Sequence, residues 1–288
     1  MATVVKKPLI QEYHDYLEFL IDWIDYLKVR EKGFSLRQVA KEAGMASGYL
    51  PMCFSRKRKL SKRSFAKLLP HLMLTPKETR YLELLQVIAE SEDPKDRVKA
   101  LTELQRLKDY RESHQLELEV HQYLSRWYYV AIRELVNTAD FKEDPAWIQD
   151  RLRGRISQKE IEEALAFLVQ FRFIEKNADG KYLIVQKQLD CHEGVFKISL
   201  GEFHRQMLDW AKVSIEEVPR ADRLLLGHTT AITRDQFELV QGILKKALND
   251  LESVENATVQ KGMEVYHIEL TAFPLTQNSS VKDGSVGE

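Results

Sequence analysis

Six cations fall within eight positions of this chain: Arg56, Lys57, Arg58, Lys59, Lys62 and Arg63. Charges at that density suit a row of phosphates, where each contact releases counterions condensed on the nucleic acid. Just before them, Leu36, Val39, Ala40 and Ala43 recur at helical spacing. Gly44 then supplies a turn, and Ser47 is placed to cap a second helix. This is a helix-turn-helix pattern, which puts the start of its second helix into the major groove. Two roles are expected. Ser47, Gly48 and Tyr49 approach base edges or the flanking phosphate, helped by the free N–H groups of a helix start, while Arg37 clamps the backbone from the preceding helix. Arg56, Lys57, Arg58, Lys59, Lys62 and Arg63 anchor phosphates regardless of sequence, the plain alternative being a solvated loop. Pro51 is a departure, because a proline deep in a helix crowds the previous turn. It fits only where the helix begins at Ser47 or Gly48.

The charge distribution points the same way. The whole chain of 288 residues has a formal net charge of −1. Residues 28–80 nevertheless carry fourteen Lys/Arg against three Asp/Glu, leaving a net acidic remainder. Positive potential is thereby focused on one module, with double-stranded DNA as the expected partner. Two cysteines, Cys53 and Cys191, suit a reducing compartment. No apolar run reaches membrane-spanning length and the N-terminus lacks a continuous hydrophobic region, so a cytoplasmic protein without membrane contact is expected. Catalytic signals are missing: there is no glycine-rich phosphate loop, GxSxG, HExxH or CxxC. Cys191-His192-Glu193 is one tripeptide, too few ligands for a metal. His228 and His267 read as partly buried structural histidines. No enzyme, cofactor or metal is expected.

The elements that must position these residues are mainly helical, with small β content. A helix over about 13–29 is apolar on two faces (Leu17, Leu20, Ile24, Leu27; Phe19, Trp23, Tyr26), which means deep burial or a partner chain. Ser61 starts a helix with Phe65, Leu68, Leu69 and Leu72 inward, and Thr75-Pro76-Lys77-Glu78 combines a capping box with proline at the first helical position. These residues make a repressor-like helical helix-turn-helix domain, 1–92. A charged helix from Asp93-Pro94 reads as a solvated connector, 93–118. A helix over 116–136, a short helix over 147–152 and a capping-box helix from Ser157 follow. Two strands flank the turn Asn177-Ala178-Asp179-Gly180, giving the order of a winged helix over 119–190. Its third helix opens with Glu160, Glu162 and Glu163, only partly offset by Arg151, Arg153, Arg155, Arg172 and Lys181. A structural or dimerising role is therefore expected there. Residues 191–276 read helix–strand–helix–strand, an α+β dimerisation or sensing domain with strands over 224–232 and 265–273. The polar tail 277–288 has no packing pattern.

The first third resembles phage-repressor-like DNA-binding domains. Over almost the whole chain after Gln11, the sequence resembles an uncharacterised bacterial regulator family with a repressor-like helix-turn-helix of the xenobiotic-response-element type and a C-terminal domain of unknown function. The segments that carry this resemblance are VAKEAGMASGYL, KRKLS, KETRYLELL, SRWYYVAIRELV, DFKEDPAWI, QKEIEEALAFL, FHRQMLDWAK and HIELTAFPLT. The resemblance implies a transcriptional regulator and little about its target or signal. The expected function is a DNA-binding regulator, a homodimer on a palindromic operator, whose C-terminal region dimerises and has room for a small-molecule or protein effector. The alternative is a protein-interaction adaptor whose helix-turn-helix serves as a docking surface.

Overall fold

The computed structural model describes residues 6–185, 189, 191–255 and 262–277. It is mainly helical with one two-stranded antiparallel sheet among the described residues. Backbone packing divides it into two units: Met1–Trp127 with Lys187–Gln206, and Tyr128–Gln186 with Met207–Glu288.

The first unit is built on α1 (Tyr16–Arg30). Asp15 caps it, accepting from the N–H groups of Leu17 and Glu18 at 2.7 and 3.3 Å. Leu17, Phe19, Leu20, Trp23, Ile24 and Leu27 are all buried, so packing within the chain accounts for both apolar faces. The indole N–H of Trp23 donates to the carbonyl of Leu72 at 2.7 Å inside that core. Around α1 lie α2 (Leu36–Glu42), α3 (Tyr49–Phe54), α4 (Lys62–Leu68) and α5 (Pro76–Glu90). Ser35 caps α2, Ser61 caps α4, and Thr75 forms a full capping box with Glu78 at α5.

After α5 comes α6 (Pro94–Arg106), begun by Asp93, whose side chain accepts from the Lys95 N–H at 2.8 Å. This helix is no solvated connector. Ala100, Leu101 and Leu104 are buried and α6 packs along α5, because three apolar residues on one face outweigh a charged remainder that stays in water. Next are α7 (Lys108–Ser113) and α8 (Gln115–Leu124).

The second unit takes up most of α9 (Trp127–Leu135). The helix expected over 116–136 is thus two, divided where the Ser125 hydroxyl turns back onto the Gln122 carbonyl at 3.3 Å. It continues with α10 (Pro145–Arg151), α11 (Gln158–Gln170), β1 (Ile174–Lys176) and β2 (Tyr182–Ile184). The two strands pair as Ile174↔Ile184 and Lys176↔Tyr182. Asn177 holds their turn, its side-chain oxygen accepting from the N–H groups of Asp179 and Lys181, while Gly180 takes φ +76°. The helix–helix–helix–strand–strand order of a winged helix is therefore present.

The remaining helices are α12 (Glu193–Glu217) and α13 (Arg234–Glu255). The strands expected over 224–232 and 265–273 are not formed. Leu224 is 79% exposed, Leu226 85% and Phe273 68%. Alternating apolar residues make a strand only when a neighbour completes the ladder, and no described segment pairs with either stretch. His228 and His267 are accordingly exposed rather than partly buried. The tail beyond 277 lies outside the described residues.

Leu50, on the inner side of α3, is fully buried. Leu50→Ala is expected to lower unfolding free energy by about 2–5 kcal/mol, measured by urea denaturation. His121 faces Ser199, with Nδ1 3.0 Å from the hydroxyl oxygen, and burial pushes its pKa from 6.5 down to about 4. The unfolded chain therefore takes up this proton first as pH falls. Stability from keeping His121 neutral is present above about pH 6.5 and is lost towards about pH 4. Melting temperature should decline across that window, and less steeply in His121→Gln; identical slopes would remove His121 from the account.

Candidate nucleic-acid interface

Helix α2 ends in a defined stop. Gly44 takes φ +66°, its N–H bonds to the Lys41 carbonyl at 3.0 Å, and the Met45 N–H reaches the Ala40 carbonyl at 2.8 Å. Those two bonds around a left-handed residue form a Schellman motif, a conformation that favours glycine. The chain then crosses Met45–Gly48 and enters α3.

The expected cap at Ser47 is not made. Gly48 is the N-cap, with no side-chain bond, because the turn backbone itself supplies a partner: the Tyr49 N–H bonds to the Ala46 carbonyl at 3.0 Å. Ser47 and Gly48 are consequently left exposed at the helix start. Pro51 is the third residue of α3, within the first turn, where backbone N–H groups lack helical partners anyway. The proline costs the helix no hydrogen bond at that depth.

Tyr49 does more than face outward. Its hydroxyl accepts from the Ser61 N–H at 3.1 Å and donates to the Lys59 carbonyl at 3.3 Å. The Arg58 guanidinium lies over its ring, 5.1 Å from the centroid, a cation–π contact. One side chain at the start of α3 thus joins that helix to the cation loop and to the cap of α4, from which Lys62 and Arg63 project. Tyr49 is half-buried in this role.

The cations differ in how free they are. Arg56 adopts φ +58°, and its guanidinium lies 2.5 Å from Asp15 and 3.6 Å from Glu18 at the start of α1. Much of its charge is answered within the protein. Lys59 is 3.8 Å from Glu90 yet 77% exposed, a weak surface pairing. Arg37, Lys57, Lys62 and Arg63 are exposed and form no ion pair among the described residues. Arg37 also lines a shallow groove with Lys41, Met45 and Ser47. Lys41 does not stand out in the sequence; its spacing of four from Arg37 on one helix was the available signal.

Arg151 lies over the Trp147 ring and donates to the Met263 carbonyl at 3.1 Å. Arg155 stacks over Trp210 and pairs with Glu217, and Arg172 lies 3.6 Å from Glu175. Arg172 is 79% exposed, so its pairing is as weak as that of Lys59, and Arg153 and Lys181 are exposed with no ion pair among the described residues.

The family model described as Domain of unknown function (DUF4423) matches residues 107–275. That is more than half of the 288 residues, and the chain belongs to this family. The match begins after α6, so α1 to α6 lie outside it. No curated protein and no solved structure matches the chain.

Tyr49→Phe removes the hydroxyl while keeping the ring. Stability should fall by about 0.5–1.5 kcal/mol, and trypsin should cut the 56–59 loop faster than in the parent chain. Unchanged cleavage would show that the hydroxyl does not hold the loop.

Proposed function

We propose that this chain is a cytoplasmic DNA-binding transcriptional regulator that acts as a homodimer on a palindromic operator. The observation that carries the reading is the Tyr49 bridge, which makes the exposed start of α3 and the cation loop one piece. Ser47 and Gly48 meet base edges or the phosphate beside them, and Arg37 with Lys41 grips the backbone from α2. Lys57, Arg58, Lys59, Lys62 and Arg63 anchor the flanking phosphates, with Arg56 contributing whatever charge Asp15 and Glu18 leave unanswered.

The dimer is supported by α13. Phe237, Val240, Leu244, Ala247, Leu251 and Val254 alternate spacings of three and four, the pattern of a helix that packs against another helix. Within that stripe Phe237, Val240, Leu244 and Leu251 are half-buried and Val254 is 69% exposed, while Leu239 and Ile243 beside it are 70% and 67% exposed. A second copy covers such a seam, and two-fold symmetry then places two reading helices on paired half-sites. The unpaired segments 224–232 and 265–273 lie in the same unit and are further candidates for that interface, or for an effector.

Binding to a DNA duplex measured over a salt series tests the reading. Lys57→Gln with Lys59→Gln should flatten the slope of log K against log salt by about 0.9 for each phosphate that is no longer neutralised. An unchanged slope would contradict the anchoring role and favour an adaptor whose helix-turn-helix docks a protein.

A further inference from the structure

The sequence offered no metal-ligand spacing, yet the first unit brings together ligand types that lie a hundred residues apart. His14 precedes α1, His114 stands between α7 and α8, and Glu117 is in the first turn of α8. Their ligand atoms all lie within 4.8 Å of one another. His14 Nε2 is 3.4 Å from Glu117 Oε1, and His114 Nδ1 is 3.9 Å from the same oxygen. A direct hydrogen bond would bring such atoms to roughly 2.7–3.2 Å. Ligands held about 2.0–2.1 Å from one tetrahedral ion stand about 3.3 Å apart, and the observed separations lie nearer that spacing.

The outer hydrogen bond of His114 suits a metal ligand. His114 Nε2 lies 2.7 Å from the backbone carbonyl of Gln11, an acceptor, so this nitrogen carries the proton. In the neutral ring, Nδ1 is the nitrogen with the lone pair, and it lies towards Glu117. Donation of the outer ring N–H to a carbonyl is the usual way a protein orients a metal-binding histidine. Glu117 is 8% exposed, and among the described residues no hydrogen bond reaches its carboxylate. Nearby, the hydroxyls of Tyr81 and Tyr110 are buried without partners, so neither donates to it. A buried carboxylate without a hydrogen-bond donor is a group that a bound cation stabilises.

The surroundings shape the cluster further. The Tyr110 ring packs on His114 with centroids 4.5 Å apart. On the other side His192 stacks on His14, centroids 4.3 Å and planes 11° apart. The Gly194 N–H donates to His192 Nδ1 at 3.2 Å, and a side chain at 194 would meet that ring at 3.3 Å. His192 is therefore a cover for the cluster in this arrangement, its Nδ1 lone pair already used.

We propose that His14, His114 and Glu117 form a binding site for a divalent transition-metal ion of the zinc class, with His192 closing one side. Two imidazoles and one carboxylate suit such an ion and leave a fourth tetrahedral position for water or another ligand. The proposal does not depend on the DNA-binding reading.

The test uses the full chain, stripped with a chelator and titrated with Co2+ while its visible ligand-field absorption is recorded, followed by displacement with Zn2+. One equivalent per chain is expected, with binding weakened at least about 100-fold in His14→Gln and in Glu117→Gln. His204→Gln, at an exposed histidine on α12, should bind like the parent chain. Circular dichroism confirms that each variant is folded. If a variant unfolds, the parent titration still decides: absence of a saturable single equivalent overturns the proposal. So does binding that survives in both ligand variants, or that is abolished equally in His204→Gln.

Discussion

The indole N–H of Trp23 meets the carbonyl of Leu72 at 2.7 Å in a part of the core that water does not reach. Left unmade there, a donor and an acceptor would each lose their solvation, at about 1–3 kcal/mol for the group left unsatisfied. The bond is possible because α1 is apolar on two faces and is surrounded by the helices that follow it. Its far side, at Asp15 and Glu18, answers Arg56 and so fixes where the cation loop leaves α3. Helices α2, α3 and α4 are short, six or seven residues each, and owe their order to packing on α1 rather than to their own propensity.

Charge is organised with the same economy. A chain that is nearly neutral overall concentrates fourteen Lys/Arg against three Asp/Glu in residues 28–80 and pairs only some of these cations. Arg56 is used in holding the fold, while Lys57, Lys62 and Arg63 are left to solvent. In the second unit Arg151, Arg155 and Arg172 meet aromatic rings, carbonyls and acids instead. The density of cations from Arg56 to Arg63 is what makes that surface the better candidate for phosphate binding.

How much of this was legible depended on the range of the interactions. Caps at Ser35, Ser61, Thr75, Asp93 and Ser157 depend on residues three positions away or fewer, and sequence reveals them directly. Ser47 misled because the turn backbone satisfied the helix start before its side chain could. The charged α6 misled because three apolar residues on one face suffice for packing. Segments 224–232 and 265–273 carry the alternation of strands, but alternation describes two faces and says nothing about a pairing partner. In the His14–His114–Glu117 cluster, His114 and Glu117 are three residues apart, but no local spacing links them to His14, a hundred residues earlier. Only the neighbouring His192 stood in a tripeptide that drew notice.

Membership of a family described only as a domain of unknown function leaves the activity to be argued from the helix-turn-helix. The proposed function requires sequence-selective DNA binding by a pair of α3 helices. The direct measurement is selection of bound fragments from a genomic DNA pool with the purified full-length chain, followed by sequencing. The account predicts enrichment of one roughly palindromic sequence, with half-sites spaced by about one helical turn or a multiple of it. Recovery of the pool without enrichment would contradict it.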